Sequence, residues 1–267
     1  MEPTPVPLLQ LLDLSGRTAI VTGAGMGIGQ AIARRLAEAG AAVVIADADA
    51  EAAESTAKEL RDAGLEARAV HCDVSVDGDV QALVHQATAW HGSLDVLVNN
   101  AGIFPITPVL DMTPAQFDHV LAVNLRGTFL CSKYAALRMR QQGKGGRIVN
   151  VTSIDALHPA QIGLAHYDAS KHGVWGFTKN LALELAPYGI QVNAVAPGGV
   201  STPGVAHMTG TTGSDLDLAL AGFAASIPLQ RLGAPDDIAR MVLVLTSDLS
   251  SYMTGSQVVV DGGALLT

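Results

Sequence analysis

Cysteine is scarce in this chain. Among 267 residues there are only two, Cys72 and Cys131, too few for a disulfide framework, and no Cys/His spacing looks like a metal site. A reducing compartment fits this count, so the expectation is a cytoplasmic protein with no bound metal. Basic clusters are absent and the formal net charge is −9, which argues against nucleic acid or an anionic membrane as a main partner. Every apolar run is broken by glycine, proline or charge before it could span a bilayer. Internal repeats and low-complexity linkers are also missing. The opening MEPTPVPLLQLLDL has three prolines and no basic residue, so it reads as a short arm over 1–14 and not as a secretory signal.

What the chain does have is apolar mass. A hydrophobic content of 49% over this length supports a large core. Short apolar strands are predicted near Thr18–Val21, Ala42–Ala46, Ala67–His71, Val96–Val98, Arg147–Val151, Gln191–Ala196 and Gln257–Val260, with helices filling the gaps. Apolar strands alternating with amphipathic helices imply parallel strands buried on both faces and joined by right-handed crossovers. The expected fold class is therefore α/β: a single Rossmann domain over 15–267, built on a doubly wound seven-stranded parallel sheet with helices on both faces.

The turn after the first strand reads Thr22-Gly23-Ala24-Gly25-Met26-Gly27-Ile28-Gly29 and opens a helical stretch from Gln30 to Ala39. Glycines permit a tight turn and let a pyrophosphate approach a helix N-terminus, where free N–H groups and the dipole stabilise its charge. The spacing is Gly-x-x-x-Gly-x-Gly, which differs from the common Gly-x-Gly-x-x-Gly fingerprint. Asp47 ends the second predicted strand, where an acidic residue typically accepts hydrogen bonds from the adenosine ribose. A 2′-phosphate would meet a like charge there, and neither Met26 nor Ala48 offers a cation, so NAD(H) is expected over NADP(H). Further along, Tyr167 and Lys171 stand at i and i+4 on one helix face. A cationic amine beside a phenol favours the phenolate, which would make Tyr167 a general acid or base.

With these residues, the chain resembles the short-chain dehydrogenase/reductase family from about Arg17 to Gly263. The matching pieces are the TGAGMGIG turn, Asp73-Val74, Asn99-Asn100-Ala101-Gly102, Asn124, Ser153, Tyr167, Lys171 and Pro197-Gly198. Ser153 lies one residue further before Tyr167 than is usual in that family, which suggests an extra residue in the loop over the substrate. The resemblance implies a catalytic group of Asn124, Ser153, Tyr167 and Lys171. Tyr167 would exchange the proton of a secondary alcohol, Lys171 would lower the tyrosine pKa and bind the nicotinamide ribose, and Ser153 would hold the substrate oxygen. Asn124, on a long helix from Pro114 to Gln141, would hold a water beside Lys171. By the same resemblance Gly23, Gly25, Met26, Gly27, Ile28 and Gly29 belong to the pyrophosphate turn, and Asp73 and Val74 to the adenine. Asn100, Ala101 and Gly102 would flank the adenosine, Val200 would meet the nicotinamide carboxamide, and Thr202 would reach the phosphates, while Pro197 and Gly198 would either join the cofactor site or only end a strand. Family members are commonly homotetramers paired through helices corresponding to Pro114–Gln141 and Ala165–Ala186. Val174, Trp175, Phe177, Leu181 and Leu185 offer apolar surface for such pairing.

The expected substrate lining is Phe104, Pro105, the loop Ile154 to His166, and a lid over 203–225. Asp155, His158, Gln161 and His166 are candidates to hydrogen-bond a small polyhydroxylated substrate, a sugar or polyol, and the sequence from His166 to Lys171 is similar to bacterial glucose dehydrogenases of the family. A 3-oxoacyl-thioester reductase is the alternative, with Arg138, Met139 and Arg140 on a helix where an acyl carrier would dock. A non-catalytic nucleotide-binding redox sensor is the alternative from another class, although such proteins usually lose the Tyr or the Lys.

Overall fold

The computed structural model describes residues 5–159, 161–202 and 221–267. Seven strands form one parallel sheet: β1 Thr18–Thr22, β2 Ala42–Asp47, β3 Ala67–His71, β4 Val96–Asn99, β5 Gly146–Val151, β6 Ile190–Pro197 and β7 Gln257–Val260. Their order is β3-β2-β1-β4-β5-β6-β7, and every pair runs parallel. The order reverses between β1 and β4, which opens a crevice at the carboxyl ends of those two strands.

Alternation along each strand sends side chains into two layers. Ala19 and Val21 of β1, Val43 and Ile45 of β2, and Val96 and Val98 of β4 face one layer. Ile20, Val44, Ala46 and Leu97 face the other. Helices α2 (Gly27–Glu38) and α3 (Ala50–Asp62) cover the first layer together with α8 (Pro235–Thr246). The second layer is covered by α4 (Asp77–His91), α6 (Gly127–Gln142) and α7 (Ala165–Leu185). Ile32, Leu36 and Leu60 are wholly buried, and each contributes about 2 kcal/mol of transfer free energy. Local signals set the helix starts. Asp49 caps α3 by accepting from the Glu51 and Ala52 amides, and Thr113 forms a capping box with Gln116 ahead of α5 (Pro114–Leu121).

Three differences from the sequence expectation stand out. The single helix predicted over Pro114–Gln141 is divided by a π turn at Ala122–Arg126, between α5 and α6. Leu14, placed in the arm, is fully buried in the core, and its amide donates to the Ala39 carbonyl, so the packed body begins at the arm's last residue. Ahead of it, among the described residues, only α1 (Leu8–Leu12) is helical, with no buried residue. Of the lid expected over 203–225, residues 203–220 lie outside the described residues.

Candidate active site

The crevice at the switch point is a cleft of about 640 Å³. Its floor is a turn that only glycine accommodates. Gly23 and Gly27 have φ of +62° and +60°. A Cβ on Gly29 would lie 2.1 Å from the Gly23 carbonyl oxygen and 2.6 Å from Asn100 Nδ2. Asn100 bolts this turn to the end of β4: its Nδ2 donates to the Thr22 and Gly23 carbonyls at 3.0 and 2.9 Å, and its amide donates to Thr22 Oγ1. The following helix, α2, starts at Gly27 with no side-chain cap from Met26, leaving first-turn N–H groups facing the cleft. A close backbone cradle and an uncapped helix start fit a dinucleotide pyrophosphate.

Asp47 at the end of β2 lines the same cleft, and Gly25 N donates to its Oδ2 at 2.8 Å. Gly25 therefore orients Asp47 and is not among the cleft-lining residues. Asp73 also lines it. Ser75 donates to Asp73 through its hydroxyl and its amide, and the hydroxyl bond is the main cause holding this carboxyl below the usual range. Val74, Ala101, Gly102, Pro197, Gly198, Val200 and Thr202 complete much of the wall. His119 and Val123, one helical turn apart, line it too. The sequence reading missed both, because nothing local marks a helix residue as facing the cleft.

At the other end of the cleft Ser153, Tyr167 and Lys171 come together with Phe104 and Asp155. Tyr167 and Lys171 share a face of α7, with Lys171 Nζ 5.6 Å from the Tyr167 ring centroid. Lys171 Nζ donates to the Val151 carbonyl at 2.8 Å, and the Phe104 ring meets Tyr167 edge to face at 5.8 Å. Ser153 Oγ donates to Asp155 Oδ2 at 2.9 Å and accepts from the Asp155 amide. Beneath this group a buried ladder ties the sheet to its helices: Asn99 Nδ2 donates to Ser132 and Asn150, and Asn150 donates to Thr178.

Several expected residues are placed differently. His166 is fully buried, with its Nδ1 accepting from the Tyr167 amide, and it does not line the cleft. One step along a helix turns a side chain by about 100°, so the neighbour of a cleft residue faces elsewhere. His158 and Gln161 are exposed and outside the lining, which leaves Asp155 as the one member of that polar group in the cleft. Asn124 also stands behind the wall. Its side chain accepts from the Ile103 amide and donates to the Ile103 carbonyl and Ser170, bracing the loop after β4.

The Tyr167 phenol differs as well. Burial pushes its pKa up, Asp155 and Asp168 push the same way, and only Ser153 opposes them. Lys171 is therefore not the dominant influence that the sequence suggested. Burial also draws Lys171 down from 10.5 to about 8, with Asp155 opposing. A lysine with a depressed folded-state pKa destabilises the fold fully where both states are protonated, at neutral pH. That penalty is relieved as pH rises from about 8 to the unfolded value of 10.5. Lys171→Met is thus expected to stabilise the protein by about 1–2 kcal/mol at pH 7, after loss of the bond to Val151, while abolishing turnover. The gain should shrink by pH 10. Urea unfolding at the two pH values checks this, and a pH-independent difference would refute it.

Among the described residues there is no group of three or more His, Cys, Asp or Glu side chains arranged to hold a metal, and no helix is long and apolar enough to cross a membrane. Cys72 and Cys131 are buried free thiols.

A glycine-turn cradle and a Ser-Tyr-Lys group lining one crevice are the arrangement of a nicotinamide-dependent oxidoreductase. Comparison with known proteins narrows the class. A family model described as enoyl-(acyl carrier protein) reductase matches residues 23–264. The chain is 43% identical over 245 residues to a short-chain reductase protein, NovJ, of Streptomyces niveus, with 92% of each chain covered. It is 45% identical over 248 residues to a cis-4-hydroxycyclohexanecarboxylate dehydrogenase of Sinomonas cyclohexanicum, covering 92% of this chain and 96% of that one. A crystal structure of a short-chain type dehydrogenase/reductase from Mycobacterium marinum superposes with a TM-score of 0.90 at 37% identity, covering 98% of this chain and 100% of that one. The chain belongs to the short-chain dehydrogenase/reductase family, oxidoreductases that use NAD or NADP.

Proposed function

We propose that this protein is an NAD(H)-dependent dehydrogenase that interconverts a secondary alcohol and its ketone on a sugar, a polyol or another small hydroxy compound. The observation that carries the reading is the convergence of Ser153, Tyr167 and Lys171 at one end of a cleft whose other end holds Asp47. The glycine turn, Asp47, Asp73, Asn100 to Gly102, and the stretch Pro197 to Thr202 would hold the dinucleotide. When bound, the nicotinamide supplies or accepts the hydride. Tyr167 Oη takes the alcohol proton in oxidation and returns it in reduction. Ser153 Oγ holds the substrate oxygen, and Lys171 supplies the nearby positive charge. Asn124 acts through the Ile103 backbone, as a positioning residue.

Preference for NAD rests on Asp47. Its carboxylate is fixed by Gly25, and neither Met26 nor Ala48 brings a cation against it. The named activity of the Sinomonas relative, a hydroxycyclohexane derivative, supports an alcohol as the reduced substrate. The acyl-thioester reading draws less support. Met139 is wholly buried in the core and Arg138 donates to the Gly92 carbonyl, so the expected docking group is largely committed within the protomer. A non-catalytic sensor would have no use for the intact Ser153, Tyr167 and Lys171.

For assembly we propose a homotetramer. Val174 and Leu185 pack into the protomer's own core, so they do not serve it. Phe177 meets Phe129 edge to face at 6.2 Å beside Leu121, Ala122 and Leu125, and this apolar depression is the surface offered to a second copy. A cytoplasmic location is part of the same reading, supported by two unpaired thiols.

The test is the initial rate of NADH formation or consumption, with NADP(H) in parallel, over sugars, polyols, simple secondary alcohols and a short 3-oxoacyl thioester. Efficient NAD-linked oxidation of a sugar or polyol is expected. Turnover of the thioester alone would replace this reading with acyl reduction.

A further inference from the structure

Ser153 and Asp155 lie two residues apart on one short turn, Ile154–Ala156, which Ser153 caps. Ser153 Oγ donates to Asp155 Oδ2 at 2.9 Å, while Asp155 Oδ1 accepts no hydrogen bond from a described residue. Both side chains line the reacting end of the cleft. The Ser153 hydroxyl and the Asp155 carboxylate therefore stand side by side, in direct hydrogen-bond contact, at the reacting end. Oxygens on adjacent carbons of a substrate can be met together by such a pair, one by Ser153 and one by the carboxylate.

The surrounding charges sharpen the selection. Asp155 is faced by Asp168 and Lys171 from α7 and by His158 from its own turn, and burial is the main influence raising its pKa. A carboxylate in such surroundings interacts strongly with any charge brought beside it. Lys171 is the only lysine or arginine lining the described cleft. Its ammonium already donates to Val151, and its charge is offset by Asp155. Among the described residues a substrate carboxylate would find a like charge there and no uncommitted lysine or arginine.

We propose that Asp155 is the specificity-determining residue of the substrate end: it selects hydroxy compounds with a second hydrogen-bond donor on the carbon next to the reacting one, and rejects those with an anionic group there. This deepens the proposed function and rests on its assignment of Ser153 to the reacting oxygen. A neutral vicinal diol is the simplest member of the favoured class. The carboxylate accepts the hydrogen of the neighbouring hydroxyl, a charge-assisted bond, so removing that hydroxyl leaves the carboxylate's free oxygen unsatisfied.

Three probes differ only at the neighbouring carbon: cyclohexane-1,2-diol, cyclohexanol and 2-hydroxycyclohexanecarboxylate. Their kcat/KM values with NAD are expected to fall in that order, with the diol at least about tenfold above cyclohexanol. Asp155→Asn keeps an acceptor oxygen for Ser153 and removes the charge. It is expected to raise the carboxylate-to-diol ratio of kcat/KM by at least about tenfold. Calorimetric dissociation constants for the same probes on the NADH-loaded protein give a second readout that needs no turnover, and the ratio should move the same way. An unchanged ratio in Asp155→Asn would overturn the inference. If the wild type oxidises none of the three but the binding ratio moves as stated, the selection by Asp155 stands and the dehydrogenase reading is what fails.

Discussion

Replacing Tyr167 with phenylalanine is expected to lower kcat by about a thousandfold while NADH affinity stays within a few-fold of the wild type. The substitution keeps the ring that Phe104 meets edge to face, and it keeps the neighbouring Lys171 and its bond to Val151. It removes only the hydroxyl proposed to exchange a proton with the substrate oxygen. Because burial pushes the phenol up, the phenolate that accepts the alcohol proton is scarce at neutral pH, and the oxidative rate should rise with pH. Reduction, which needs the protonated phenol, should be favoured on the acid side. Stopped-flow rates in both directions, with NADH binding followed by fluorescence, check the result. Turnover within tenfold of the wild type in Tyr167→Phe would refute the assignment of the proton to this residue.

The second large effect is on the cofactor. A 2′-phosphate placed against the Asp47 carboxylate meets like charge in a half-exposed site, where repulsion and lost ribose hydrogen bonds together amount to about 2–4 kcal/mol. The wild type should therefore prefer NAD over NADP by about a hundredfold in kcat/KM. Asp47→Asn removes the charge and retains an oxygen for the Gly25 amide that now donates to it at 2.8 Å. The preference should collapse to within about tenfold, chiefly through a higher KM for NAD. Steady-state kinetics with both cofactors and one alcohol measure this directly. A wild type that favours NADP, or a variant whose preference is unchanged, would show that Asp47 does no more than order its own turn.

Much of the fold could be read from the chain because parallel strands buried on both faces are apolar runs, and runs such as Val43 to Ala46 are unambiguous. Boundaries differed by only a residue or so, as at β5, which starts at Gly146 where Arg147 was expected. The π turn at Ala122–Arg126 was invisible. Its residues have ordinary helical propensity, and the bracing of Asn124 against Ile103 and Ser170 accompanies a register that local sequence does not encode. In the site, residues that follow strands were recognisable because the fold brings those positions to one edge. Residues that reach the cleft from helices were harder. His119 and Val123 arrive only because α5 and the π turn pass beside the cleft, which is a tertiary fact. His166 shows the opposite failure: adjacency to Tyr167 in sequence is no guide to facing on a helix. Leu14 looked like part of a loose arm because nothing local distinguishes it from Leu11 or Leu12.

The seam between β1 and β4 has a bearing on how the molecule assembles. These strands pair through Ala19–Val96, Ile20–Leu97 and Val21–Val98, although α2, β2, α3, β3 and α4 intervene in the chain. The Asn100 bonds that close the glycine turn form only across this seam, so the cradle cannot exist as a local hairpin or as an isolated strand-turn-helix unit. Closing so long a loop costs entropy before any contact across the seam repays it, which makes the seam a slow, non-local step in folding. During synthesis the N-terminal half can complete that step before Ser153, Tyr167 and Lys171 have left the ribosome. The glycine turn, Asp47 and Asn100 to Gly102 are thus the part of the cleft able to form first, and Ser153, Tyr167, Lys171 and the stretch Pro197 to Thr202 are laid against it afterwards.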